Sequence, residues 1–327
     1  MRKEQIKSID FIKSICALGV VLFHFECHYT SRHLTFIMNY FDSGAVVTAF
    51  FMVSGALLQY HYAQQTNLKE YYIKRWKAIY PMYYIAYIPC WMLNVVRHGS
   101  FTYAGSPFAY LYTLLGIDGY LATQTNTYHI VGEWFLGAII VMYLLFPLIR
   151  WLFGKNKWVT VLGALALYLI FYNKPITHNS GFCTISSCLI SFCLGMLFIE
   201  YRKQIMIRPV VLVAALGYVL LGVVRLKMSL NASLHLLGIC LFILLFALGE
   251  KIMEKPLLCK GFTELSKLSY PVFLIHHVML QMILLIWQPE PWWQILLLQV
   301  FTVAVILVAA KILALVTSWI VARLGRR

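Results

Sequence analysis

The chain has 327 residues, of which 61% are hydrophobic and only 12% charged, whereas soluble globular proteins carry about 25% charged residues. Too little polar surface remains to cover a water-soluble particle of this size, so a soluble globule is excluded. The net charge of +15 points to sided membrane insertion rather than to nucleic acid, because Lys and Arg gather in the cytoplasmic loops of membrane proteins.

Apolar runs long enough to cross a bilayer recur along the whole length. They predict spans at 8–28, 44–63, 79–96, 130–149, 158–172, 181–200, 209–224, 232–249, 268–287 and 292–322. The fold class is therefore all-α and polytopic, with about ten transmembrane helices in one membrane domain over 1–327 and no appended soluble domain. The first run looks superficially like a secretory signal. Asp10 and Lys13 interrupt it, no small-residue cleavage site follows and further spans come after, so it reads as a retained helix. The longest connection, 97–129, is not simply hydrophilic: Pro107 to Leu115 is apolar and aromatic. It either lies at the interface or folds back over the protein.

The basic residues alternate with the connections. One set comprises Arg2, Lys3, Lys7; Lys69, Lys74, Arg75, Lys77; Arg150, Lys155, Lys157; Arg202, Lys203, Arg208; Lys251, Lys255, Lys260, Lys267; and Arg323, Arg326, Arg327. The opposite connections carry only Arg32, Arg97, Lys174, Arg225 and Lys227. This bias predicts an even number of spans, both termini cytoplasmic, and insertion in the cell membrane. The eight cysteines form no C-x-x-C pair and no Cys/His metal spacing. They read as small packing residues, and no metal is expected.

The first span carries the most informative polar pattern. At 100° per residue, Asp10, Lys13, His24 and His28 fall on one stripe. Ionisable groups inside a membrane are costly and are functional candidates by default. Lys13 and His24 are about 16 Å apart along the axis. A ligand of that length would meet a cation at one end and an imidazole at the other. The alternative is structural: an Asp10–Lys13 pair and a hydrogen-bonded core histidine. Glu26 points off the stripe and is expected to be solvated. In the fourth span His129 and Glu133 are spaced i,i+4 and would share a helix face. The ninth carries His276 and His277, of which only one is expected to face the interior. Its role is either catalysis or hydrogen bonding between helices. Lys311, in the tenth span, either lines the same cavity or snorkels inward. No nucleophile elbow, phosphate loop or zinc-protease motif is present.

These residues resemble the acyltransferase-3 family of membrane proteins. The run Asp10-Phe-Ile-Lys13-Ser-Ile-Cys-Ala17 with Val20-Val21-Leu-Phe-His24 is similar to its opening motif. Phe50-Phe51-Met-Val-Ser54-Gly55 matches its Phe-Phe-x-x-Ser-Gly signature. Arg75-Trp-Lys-Ala-Ile79-Tyr80-Pro81 sits where the family has an arginine-rich turn before the third span. Trp134-Phe135-Leu136 with Tyr143 and Pro147, and Leu268-Ser269-Tyr270 through Leu274-Ile-His276, resemble its fourth- and ninth-span patterns. The resemblance implies a ten-helix O-acetyltransferase-like enzyme that moves an acyl group, acetyl above all, from acyl-coenzyme A to a hydroxyl of an extracytoplasmic envelope glycan or glycolipid.

It implies His24 as catalytic, with Lys13 and Asp10 beside it. The cations Arg75, Lys74 and Lys77 are assigned to the coenzyme A donor, and His28, His129, Glu133 and His276 are candidates on the acceptor side. Two departures stand out. Ala78 occupies the position of a second arginine, for which Lys77 is a substitute. A further histidine expected after the first span is represented only by His28 or His33. Two other readings share the helix-rich pattern: an envelope lipid or glycan transporter or flippase, and an inactive assembly partner. Inverted repeats and paired broken helices, which transporters often show, are not evident.

Overall fold

The computed structural model describes residues 5–29, 43–64, 67–171, 181–224 and 230–324; the expected candidate His33 lies outside them. The described residues are helical with short connections, in the order α1 (Lys7–Cys27), α2 (Ser43–Tyr62), α3 (Leu68–His98), α4 (Tyr110–Leu114), α5 (Asp118–Leu121), α6 (Glu133–Lys155), α7 (Lys157–Phe171), α8 (Ile185–Ile205), α9 (Arg208–Tyr218), α10 (Leu230–Ile252), α11 (Pro256–Lys267), α12 (Ser269–Ile286) and α13 (Trp292–Leu324). Hydrocarbon offers no partner to an exposed backbone group, so a chain this apolar closes its hydrogen bonds within helices. Seven of these, α1, α2, α6, α8, α10, α12 and α13, are long and apolar enough to cross a membrane. The protein is an all-α polytopic membrane protein. Three further expected spans fall on α3, on the 15-residue α7, and on α9 with its π-helical continuation Val219–Val223.

The chain divides into two compact units, one of residues 1–66 and 145–269, the other of 67–144 and 270–327. In the first, α2 is packed by α1, α8 and α10. Its core includes Ile9, Ile12, Cys16, Val46, Ala49, Ala56, Phe242 and Phe246. Small residues set the helix spacing here. A Cβ on Gly55 of α2 would meet the Phe192 carbonyl oxygen of α8 at 1.9 Å, and one on Gly195 of α8 would meet the Met52 carbonyl oxygen of α2 at 2.0 Å. Glycine on both sides allows the two backbones to touch. Gly238 of α10 similarly approaches Ala45 and Thr48 of α2. The glycine of the Phe-Phe-x-x-Ser-Gly signature is thus a packing residue. All eight cysteines are free thiols, and Cys16, Cys188 and Cys193 are buried, as expected for packing residues.

The second unit is organised by α3. Asn67 caps it, accepting from the Lys69 and Glu70 backbone N–H groups at 2.9 and 3.3 Å. At the other end the chain leaves through Gly99 at φ 63. The predicted third span began at 79, with an arginine-rich turn before it. In the structure the helix starts eleven residues earlier, and Arg75 through Pro81 are all inside it. The cap at Asn67 starts the helix, which runs on through Pro81.

Residues 100–129 fold back onto α3 through aromatic side chains. The hydroxyls of Tyr80, Tyr84 and Tyr87 donate to the carbonyls of Leu115, Leu114 and Tyr128 at 2.9, 2.6 and 2.8 Å. Trp91 Nε1 donates to the Tyr110 hydroxyl at 2.9 Å, and Tyr110 stacks on Tyr128 with ring centroids 3.8 Å apart. A tyrosine every three or four residues puts one row of hydroxyls on a single helix face. That row satisfies carbonyls at the end of the short helix α4 and one in the loop at Tyr128.

Candidate functional site

In the first unit, α1 is buried over most of its circumference. Asp10 is 8% exposed. Its Oδ1 accepts from the Ser266 hydroxyl at 2.9 Å, and its Oδ2 contacts the Gln5 amide. The Ser14 hydroxyl, one turn on, lies 2.9 Å from both the Asp10 and Phe262 carbonyl oxygens. These bonds tie α1 to α11. The carboxylate of the opening motif therefore has a holding role between two helices, whatever else it does. Lys13 is half-buried, three residues along and within electrostatic reach of Asp10. His24 is half-buried too, with its ring edge-to-face to Phe23 at 5.4 Å. His28 caps α1 and is exposed. One expectation for this helix fails: Glu26 is 5% exposed, not solvated, because α1 is covered on the side away from the stripe as well.

In the second unit, Arg75 lies half-buried on α3 with its guanidinium 5.6 Å from the centroid of the Tyr143 ring. Tyr71, one turn before, donates to the Tyr143 carbonyl at 2.9 Å, and Tyr270 of α12 donates to the Ile79 carbonyl at 3.0 Å. Arg75 is thus held on a face where α3 meets α6 and α12. Lys74 forms an exposed pair with Glu70 at 2.6 Å. Lys77 is exposed and, two residues from Arg75 on a helix, projects about 200° away from it. Lys311 is exposed on α13.

The expected shared face of His129 and Glu133 does not form. Helix α6 begins at Glu133, so His129 lies before it, and the chain turns between them through Gly132 at φ 87 and Glu133 at φ 41. His129 instead sits beside Asp118, where a Cβ on Gly119 would touch its ring at 2.9 Å. Asp118 is 1% exposed and accepts from Gly119 N at 2.9 Å, Thr113 Oγ1 at 3.1 Å and the Tyr83 hydroxyl at 3.3 Å. Burial pushes the Asp118 carboxyl above its ordinary value, and the charge of His129 and these hydrogen bonds draw it only partly back. Burial likewise pushes His129 below its ordinary value, against the pull of Asp118. Burial thus works against the charged form of both groups, and their mutual attraction works for it.

Glu133 turns to α12 instead. The Nε2 atom of His276 lies 3.4 Å from Glu133 Oε1, and Nε2 of His277 is in closer contact with the same oxygen. His276 is 1% exposed. Its Nδ1 is 2.9 Å from the Phe273 carbonyl oxygen. Since a carbonyl only accepts, Nδ1 carries the proton of that bond and Nε2 faces the carboxylate. Only one of the two histidines was expected to face inward. Both reach Glu133, because neighbouring positions on a helix diverge by about 100° and the carboxylate occupies the angle between them. Glu133 and His276 were each acceptor-side candidates, but Glu133 was paired with His129, so its association with His276 was missed, as were His277 and Asp118 as site groups. The His-His doublet was the only signal for the former, and nothing local distinguishes Asp118 from a solvated loop aspartate.

A cavity of about 390 Å³ beside α1 and α11 is lined by Lys7, Glu254, Lys260 and Glu264 among others. Its mixed charges do not make a single-sign anion site.

A family model described as an acyltransferase domain, Acyl_transf_3, matches residues 6–311. No curated protein and no solved structure matches the chain.

Proposed function

Because the chain belongs to the acyltransferase-3 family over nearly its whole length, and is a membrane acyltransferase on that ground, we propose that it transfers an acyl group, acetyl in the first instance, from cytoplasmic acyl-coenzyme A to a hydroxyl of an extracytoplasmic envelope glycan or glycolipid. The observation that carries this reading is the family match. It is supported by His24, a half-buried imidazole on a membrane helix whose opening motif is tied in place through Asp10.

Coenzyme A is polyanionic and cannot enter hydrocarbon, so its phosphates need cations at the membrane surface. Arg75, with Lys74 and Lys77, takes that role in this reading. His24 acts as the general base that removes the proton of the acceptor hydroxyl as its oxygen attacks the thioester carbonyl; the C–S bond then breaks, and coenzyme A leaves as its thiol with that proton returned from His24. An imidazole is the side chain most often used for that task near neutral pH. Lys13 supplies positive charge on the same stripe, and Asp10 fixes the helix that carries both. His28, His129, Glu133 and His276 remain acceptor-side candidates. The alternation of basic clusters supports a cell-membrane protein with both termini in the cytoplasm.

The test is acyl transfer by the purified protein from labelled acetyl-coenzyme A, with envelope glycans of cells with and without the gene compared by mass spectrometry. A missing acyl mass would name both group and acceptor. Absence of any label transfer, with glycans of unchanged mass but altered location, would favour a flippase instead.

A further inference from the structure

Glu133, His276 and His277 come from two helices far apart in the sequence, and one ligand-capable atom of each lies within 4.8 Å of the others. We propose that these three side chains bind a divalent transition-metal ion of the zinc class. The expectation of a metal-free chain rested on near-neighbour Cys/His spacing, which cannot register ligands supplied by separate helices.

Three observations carry the assignment. The first is distance. Ligands held at about 2.0–2.2 Å from a tetrahedral ion stand roughly 3.3–3.5 Å from each other. The His276 Nε2 to Glu133 Oε1 separation is 3.4 Å, which is long for a hydrogen bond and right for such an edge. The His277 contact is shorter than an edge and has to open as the ion enters. Its side chain is 32% exposed against 2% for His276, so it has room to move.

The second is tautomer. His276 spends Nδ1–H on the Phe273 carbonyl. In the neutral ring this directs the Nε2 lone pair at the carboxylate. A backbone carbonyl behind the ring is the usual outer support of a metal-bound imidazole.

The third is how Glu133 is aimed. It is the sole non-glycine residue with positive φ among the described residues, at φ 41. Gly132 before it has φ 87, and a Cβ there would lie 2.7 Å from Leu136 and 3.3 Å from Leu274. The chain is thus bent tightly against α12 where the carboxylate must reach the histidines. A strained residue at the convergence of ionisable groups is a mark of a functional site.

Two imidazoles and one carboxylate form a borderline donor set. It suits Zn²⁺, Co²⁺, Ni²⁺ or Fe²⁺ rather than Mg²⁺ or Ca²⁺, which take oxygen shells. The fourth position is completed from outside the trio. This assignment does not depend on the acyl-transfer reading, and its readout is not activity.

The experiment uses the full chain in detergent, purified on a tag without histidines, stripped with a chelator and reloaded with Zn²⁺ or Co²⁺ at micromolar free metal. The expected result is about one ion per chain by elemental analysis, with a Co²⁺ visible absorption band of four-coordinate type. Glu133→Gln and His277→Gln should each weaken binding by about tenfold or more, with an unchanged elution profile. Binding well below one ion per chain overturns the proposal and leaves the trio joined by protons alone. Parent-like affinity in both variants overturns it too. Should the variants aggregate, X-ray absorption on the zinc-loaded parent decides. A shell containing two imidazoles sustains the proposal, and a shell of oxygens or cysteine sulfurs ends it.

Discussion

Gly55 of α2 meets the backbone of Phe192 on α8 so closely that a Cβ on Gly55 would stand 1.9 Å from the Phe192 carbonyl oxygen. The obstacle is main chain, so no side-chain rotation relieves it. Gly55→Ala should force the two helices apart, at a cost of about 1–3 kcal/mol as for other overpacked interiors. Gly195→Ala should do the same from the other side. Gly163→Ala, where a Cβ meets nothing within 4 Å, is the control and should be neutral or slightly stabilising. Thermal unfolding in detergent checks all three. A parent-like melting temperature for Gly55→Ala would show that the crossing is looser than described.

His24→Ala should lower turnover by about 10²–10⁴, the range of a lost general base, while yield and melting temperature stay near those of the parent. His276→Ala should behave differently. It empties a position 1% exposed and breaks the bond to Phe273, so loss of folded protein should accompany any loss of activity. Turnover of His24→Ala near the parental rate would remove His24 from the mechanism.

Arg75→Ala should raise the apparent KM for acyl-coenzyme A with less effect on that for the acceptor. Removing one charge-assisted contact costs about 1.5–3 kcal/mol, or roughly tenfold or more in affinity. Lys77 is exposed and projects elsewhere on α3, so Lys77→Ala alone should have a smaller effect and the double variant should be worse than either. If the double variant inserts normally and binds acyl-coenzyme A as tightly as the parent, these cations serve orientation or lipid headgroups only.

The Asp118–His129 pair gives a pH dependence with two opposite signs. His129 is held below 6.5 by burial. The stability it contributes is complete above pH 6.5 and is lost as pH falls toward its folded pKa, because the unfolded chain takes the proton first. Asp118 is held above 3.8 by burial. Its contribution is complete below pH 3.8 and is lost as pH rises toward its folded pKa. Acidification from pH 7 to 5 should therefore lower the melting temperature less in His129→Gln than in the parent. In Asp118→Asn it should lower it at least as much. Melting curves across that range decide, and a steeper acid loss in His129→Gln would reverse the assignment.

The sequence alone determined that this is an all-α membrane protein: lipid admits only helices or closed barrels, and continuous apolar runs of helix-spanning length, without the short alternating segments of a barrel, select helices. Order and spacing along one helix were equally legible: the Asp10–Lys13–His24 stripe and the Phe50–Gly55 signature are local patterns, and they carried the family. What each of those residues touches was not legible. Asp10 answers to Ser266, Gly55 to Phe192, and Glu133 to His276 and His277, all partners supplied by distant segments. The failures share that cause. A helix was assumed to continue from His129 to Glu133, and only the backbone reversal at Gly132 and Glu133 decided otherwise. Glu26 was assigned to water by its angle on α1, but burial is set by what packs outside a helix, and periodicity measures only the helix itself.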